Sequence, residues 1–420
     1  MKRLFSYFVA LLMFLSCKKE AIETTNSSSL RVNVDSVLLS SQVGQVDSIS
    51  INYNDQWSLT VNPTTANWFK TNIKAGTGNA KVYLTVLESN TTDTTRQATI
   101  NITFKGDPTV LMVRIKQKGK QWQQTANFPG VARYGATSFV IGNKFYVGSG
   151  IGHKDNILQQ LADFFEYDAV SNTWKQISDL PGKPRENAMG FALNGKGYLA
   201  FGVKIDCPTV NVPCSFTYLK DFWEYDPSTN KWKEVGNFED LGRNGNATSV
   251  FTINNKAYLW GSQKLWEFSP IDYTLKLKTE NATTGLVYSS TFSINGKGYV
   301  GTGLGAEKAF FEYDPAINKW SKKKDFGGEE RINSIGFSLN GKGYIGGGTV
   351  TRKISQNSSQ SFPINDLWEY DPQMDEWKQV GNIPYSTPVL AVAGVVAGKV
   401  IVGTGLNYPT PSFGKEFWIY

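Results

Sequence analysis

Histidine is almost missing from this chain: His153 is the only one in 420 residues. One imidazole cannot build the several-histidine ligand sets of copper or zinc centres. A Ser-His-Asp hydrolase would rest wholly on that residue, with no nucleophile elbow in view. Cysteine is scarce, with only Cys17, Cys207 and Cys214. No apolar run reaches the ~20 residues that a helix needs to cross a bilayer. Leu4 to Leu15 is too short, and Val389 to Val402 is broken by Gly394, Gly398 and Lys399, so it reads as a strand hairpin. Lys and Arg number 43 against 36 Asp and Glu, with no basic run interleaved with aromatics, so no nucleic-acid partner is expected. No glycine-rich loop leads into a helix, so neither a nucleotide nor any other cofactor is indicated, and no metal.

What is present favours strands. The chain holds 40 Gly and 12 Trp, and aromatics make up 13%, a mixture suited to many short strands joined by tight turns. Lys2 and Arg3 precede the apolar stretch Leu4 to Leu15, which ends in Phe14-Leu15-Ser16-Cys17. Residues 1–16 thus resemble a bacterial lipoprotein signal peptide, with Cys17 as the lipidated residue. Lys18 favours the outer membrane, on either side of it, and polar residues 17–29 read as a tether, so the membrane is reached through the lipid alone. Export then permits a Cys207–Cys214 disulfide; two free thiols or a metal pair are the alternatives.

Residues 30–120 alternate with period two in Val46 to Ile51, Ala80 to Val86, Ala98 to Phe104 and Val110 to Ile115, which predicts a small Ig-like β-sandwich. Trp57, Trp68-Phe69, Gly76-x-Gly78, Arg96-Gln97-Ala98-Thr99-Ile100 and Ile115-Lys116-Gln117-Lys118-Gly119 resemble the BACON domain. That resemblance implies either carbohydrate binding or a spacer. Trp57 and Trp68 are read as sandwich core, or else as glycan platforms.

Residues 121–420 repeat themselves. Gly195-Lys196-Gly197-Tyr198 returns as Gly296 to Tyr299 and Gly341 to Tyr344, with looser copies at Asn143, Asn255 and Gly398. Asn-Gly ahead of the lysine suits a two-residue hairpin turn with positive φ. A second element, Phe222-Trp223-Glu224-Tyr225-Asp226-Pro227 with Trp232, recurs at Phe164, Phe310 and Leu367 and in degraded form at Leu265. Asn or Asp just before its Trp hairpin suits a left-handed turn position. Two hairpins per repeat make a four-stranded sheet. The motifs resemble the Kelch repeat, which implies an all-β fold with a six-bladed β-propeller after the sandwich. The half-strands around Trp122 and Trp418 should complete one blade between them.

Glu-Tyr-Asp occurs in repeat after repeat, which argues for structure, since an active site is needed once. Arg133, Arg185, Arg243 and Arg331 each precede the first strand of a repeat and are expected either to ring the channel mouth or to pair with strand-end carbonyls or with Glu186 and Glu330. Long insertions containing Tyr218, Phe362, Tyr408 and Phe413 should rise on that same face. The leading expectation is a binding face for a glycan or other extracellular polymer, using these arginines with Tyr218 and Tyr408. In an alternative, some six-bladed Kelch proteins are sialic-acid mutarotases, and Glu186, Glu329 or Glu330 beside Arg185 or Arg331 would supply the carboxylate and arginine. A protein–protein scaffold is the third option.

Overall fold

The computed structural model describes residues 31–420 apart from positions 42, 91, 93, 120, 121, 156, 208–212, 239–248, 262, 263, 281–287, 306, 307, 356, 357, 385, 387 and 408–411. Cys17, Arg243 and Tyr408 therefore lie outside the described residues. Every regular element among the described residues is a β-strand. One compact unit closes at Lys118 and a second continues from Gly119.

The first unit packs two sheets. In the larger, Ser36–Leu39 runs parallel to Asp107–Gln117, followed in order by Arg96–Phe104, Gln56–Asn62 and Ala75–Thr77. The smaller holds Val46–Ile51, Ala80–Val86 and Phe69–Thr71. Alternate residues face inward, so Ile49, Ile51, Val82, Leu84, Ile100 and Ile102 share one core. Trp57 and Trp68 belong to it, 3% and 5% exposed, so neither offers a ring to a glycan.

In the second unit six four-stranded antiparallel sheets follow one another. Their innermost strands are Thr137–Ile141, Met189–Leu193, Ser249–Ile253, Ser290–Ile294, Ile335–Leu339 and Val392–Val396. Each neighbours the next, and Val392–Val396 returns to Thr137–Ile141, closing a ring. The sixth sheet takes its third strand, Phe417–Ile419, from one end of the unit and its outer strand, Gln123–Gln124, from the other. Beside that junction the Trp122 and Tyr420 rings stack at 4.7 Å.

The repeated residues explain the sheets. Asn194, Asn295 and Asn340 have φ near +51°, each followed by a glycine with positive φ, as tight hairpins require. Asn172, Asn230, Asn318 and Asp375 are left-handed too, and each accepts a hydrogen bond from the Tyr hydroxyl five residues earlier. The Trp174, Trp232 and Trp377 indoles donate to Ala126, Ser178 and Lys324 carbonyls, tying each sheet to the chain of the preceding one. Glu166, Glu224, Glu267, Glu312 and Glu369 each face a cross-strand Tyr that donates its hydroxyl. All but Glu369 also receive a Lys Nζ. Burial alone would raise the Glu166, Glu224 and Glu267 carboxyls. The Lys donors, joined by Tyr hydroxyls at Glu166 and Glu224, outweigh it, so all three end below the usual carboxylate range.

Candidate functional site

The chain enters the inner strands across one rim of the ring, and ahead of five of them a described residue two positions before the strand takes the left-handed conformation. Gly135, Asn187, Tyr288, Asn333 and Leu390 are these residues, with φ between 53° and 60°. Their peptides join hand to hand: Asn187 N–H donates to Gly135 O, Gly135 N–H to Leu390 O, Leu390 N–H to Asn333 O and Asn333 N–H to Tyr288 O. Four of the five carry side chains, so the conformation itself does not demand glycine at 135.

The three described arginines do not ring this mouth. Arg133, Arg185 and Arg331 are at most 1% exposed. Each donates through Nε to the carbonyl two residues earlier and through one terminal nitrogen to a strand-end carbonyl, Ser149, Phe201 or Gly347. Each also forks onto an aspartate: Arg133 onto Asp163, Arg185 onto Asp221 and Arg331 onto Asp366. Burial would raise the Asp221 carboxyl, but the Arg185 guanidinium outweighs it and holds it below its ordinary range. These guanidiniums are spent inside the fold and face no ligand. A bidentate partner is what makes their burial tolerable. A sequence signal existed: Asp stands just before the Phe-Phe, Phe-Trp or Leu-Trp strand in the three repeats whose arginine is buried. Lys264, Ala309 and Glu416 replace it elsewhere.

Glu186 is different. The residue ahead of the left-handed position bridges to a protruding hairpin: Tyr134 to Ile151, Glu186 to Val203, Ile332 to Thr349 and Val389 to Leu406. Three of these four are aromatic or aliphatic; Glu186 alone is a carboxylic acid. Its side chain is 9% exposed, and among the described residues its carboxylate has no hydrogen-bond or ion-pair partner. Burial pushes its pKa up to about 7. A Cβ placed on Gly135 would stand 3.3 Å from Glu186 Oε2 and 3.1 Å from Asn187 Oδ1. The missing side chain at 135 leaves a notch beside both oxygens.

Val203, which Glu186 bridges, pairs on its other edge with Tyr218. Residues directly opposite share a face of a sheet, so Glu186, Val203 and the exposed Tyr218 lie on one side of this hairpin. Cys207 and Cys214 are joined by a disulfide within it. The other carboxylates named from sequence are less suited to proton transfer. Glu329 accepts from exposed Arg352, which holds it below the usual range, and Glu330 is exposed. The central channel encloses about 290 Å³, lined by Ser138, Thr252, Thr291, Ser293 and Ser338 among small and apolar residues, none of them ionisable. Among the described residues no three His, Cys, Asp or Glu side chains converge as metal ligands would.

No family model matches the chain. It is similar to N-acetylneuraminate epimerase of Yersinia pestis (strain Pestoides F), 26% identical over 159 residues, 31% of this chain and 41% of that protein. N-acetylneuraminate epimerase of Yersinia enterocolitica is 28% identical over 157 residues, 31% and 40% of the two chains. N-acetylneuraminate epimerase 1 of Escherichia coli O6:H1 is 25% identical over 178 residues, 36% and 47%. The chain thus spans less than half the length of the curated relatives it matches. The solved structure titled "Structure of YjhT" superposes with a TM-score of 0.57 at 14% identity, covering 70% of this chain and 95% of that one. With the closed ring of sheets, that likeness shows the fold to be a Kelch-type β-propeller.

Proposed function

We propose that this six-bladed propeller is a sugar mutarotase acting on N-acetylneuraminate or a similar pyranose, with Glu186 as the group that moves the proton. One observation carries the reading. Among the described residues a buried, partnerless carboxyl with a pKa of about 7 occurs once, at a rim position that is apolar or aromatic in the other described repeats. Structural carboxylates recur and are neutralised; this one does neither, and perturbed carboxyls of that kind concentrate at functional sites. The similarity to N-acetylneuraminate epimerases points the same way.

The chemistry follows from the pKa. Near pH 7 the carboxyl is populated in both protonation states, the best compromise for an acid–base catalyst. Glu186 donates its proton to the ring oxygen while the anomeric hydroxyl releases its own to water, and the ring C–O bond breaks. The open-chain carbonyl rotates, and the same hydroxyl re-adds to its other face. Glu186 then takes the hydroxyl proton back as water reprotonates the anomeric oxygen, leaving the protein unchanged. Asn187, beside it, suits a hydroxyl of the sugar.

The same proposal places the propeller on a lipid anchor at Cys17 in the outer membrane, with the first unit as a BACON-like, Ig-like module. Glycan binding without turnover is the second reading, favoured by Phe216 and Tyr218, 58% and 37% exposed on the hairpin next to Glu186. Following anomer interconversion of N-acetylneuraminate by NMR separates the two. Acceleration that disappears in Glu186→Gln supports the mutarotase, and no acceleration by the native chain removes it.

A further inference from the structure

This inference rests on the mutarotase reading and concerns what holds the sugar while Glu186 acts. Two hairpins meet beside the notch. Ile151–Lys154 pairs with Ile157–Gln160 and with Arg133–Tyr134; Leu406–Asn407 pairs with Ser412–Phe413. Across the seam between the sixth and first sheets, the Phe413 ring stacks on His153, centroids 5.1 Å apart and planes 19° from parallel. Phe413 also meets the Tyr134 ring edge-on at 5.0 Å. His153 is exposed and the other two are half-buried, and none belongs to a core cluster of the propeller.

Tyr134 adjoins Gly135, on which Glu186 Oε2 and Asn187 Oδ1 converge. The first hairpin is strapped to the disulfide-bearing one: Gln160 Nε2 donates to Val203 O at 2.7 Å, and Ile205 N–H donates to Gln160 Oε1 at 2.8 Å. The strand carrying His153 is therefore held in a fixed wall, against which Phe413 packs through His153 and Tyr134. Rigid aromatic surface next to a few convergent polar groups is how small-molecule sites are commonly composed. We infer that Tyr134, His153 and Phe413 form a stacking platform for the apolar C–H face of a pyranose whose anomeric end reaches Glu186. The electron-rich ring faces attract the polarised axial C–H groups.

Saturation-transfer NMR on the full chain, with N-acetylneuraminate and with glucose as probes, tests it. Phe413→Leu keeps the apolar bulk and removes the ring face, and His153→Ala changes an exposed side chain that the fold does not need. Each should weaken sugar binding about 3- to 10-fold. Unchanged dissociation constants in both variants, or no transfer to either sugar in the native chain, would overturn the platform. If Glu186→Gln abolishes anomerisation while both platform variants bind normally, the mutarotase reading stands and the platform falls. If the platform variants bind weakly and no protein accelerates anomerisation, the platform stands alone.

Discussion

Replacing Glu186 with glutamine removes one ionisation and leaves the shape of the notch intact. Burial moves this carboxyl from 4.5 to about 7. Below pH 4.5 it is protonated in folded and unfolded chains alike, and no cost arises. Between pH 4.5 and 7 the unfolded chain ionises while the folded one keeps its proton, so stability falls by about 1.4 kcal/mol per pH step. Above pH 7 both are ionised and the loss is complete, about 3 kcal/mol over roughly 2.5 steps. Glutamine pays none of it. Urea unfolding of native and Glu186→Gln chains at pH 4.5 and pH 8 should show the variant gaining about 3 kcal/mol relative to the native chain at the higher pH. In the anomerisation assay the same variant should lose on the order of 100- to 10,000-fold in rate. A stability difference that is equal at both pH values would mean an ordinary carboxyl, and the argument for a poised acid would fail.

Arg331→Met alone should cost about 3–5 kcal/mol, because Asp366 is left buried without its counter-charge, keeping only the Trp368 indole donor. Adding Asp366→Leu should recover most of it, as thermal unfolding of the single and double variants would show. Gly343→Ala should cost about 1–3 kcal/mol by overpacking, since an added Cβ would overlap the Phe292 ring of the preceding sheet. Phe292→Leu in the same chain should relieve part of that loss of melting temperature. Phe417 is 1% exposed in the strand that lets Gln123–Gln124 join the sixth sheet. Phe417→Ala should cost about 3–5 kcal/mol, read as a lower urea midpoint; an unchanged midpoint would mean the ring does not depend on this closure.

Local rules carried the sheets from the sequence alone. Asn194-Gly195 and Asn340-Gly341 need positive φ wherever they occur, and Tyr225 finds Asn230 five residues on, so hairpins could be read residue by residue. Their repetition implied a ring, since each repeat is too small to bury its own faces. The strand-end carbonyl partners of the arginines were one of two open readings, because adjacency to an inner strand says where the backbone lies and not where the side chain turns. Arg185 turns inward to Asp221, 36 residues away, a partner that only the Asp accompanying the buried arginines across repeats hinted at.

Composition and spacing by themselves determined an all-β chain with a repeated hairpin pair, because turn chemistry and strand alternation act over a few residues. Folding decided which charged groups are neutralised. Glu186 and Glu224 are the same residue type in neighbouring elements, yet Glu224 sits opposite Tyr198 and Lys196 while Glu186 is buried with no partner among the described residues. A carboxyl's pKa is set by what the rest of the chain brings within a few ångströms of it, and distant segments supply most of that.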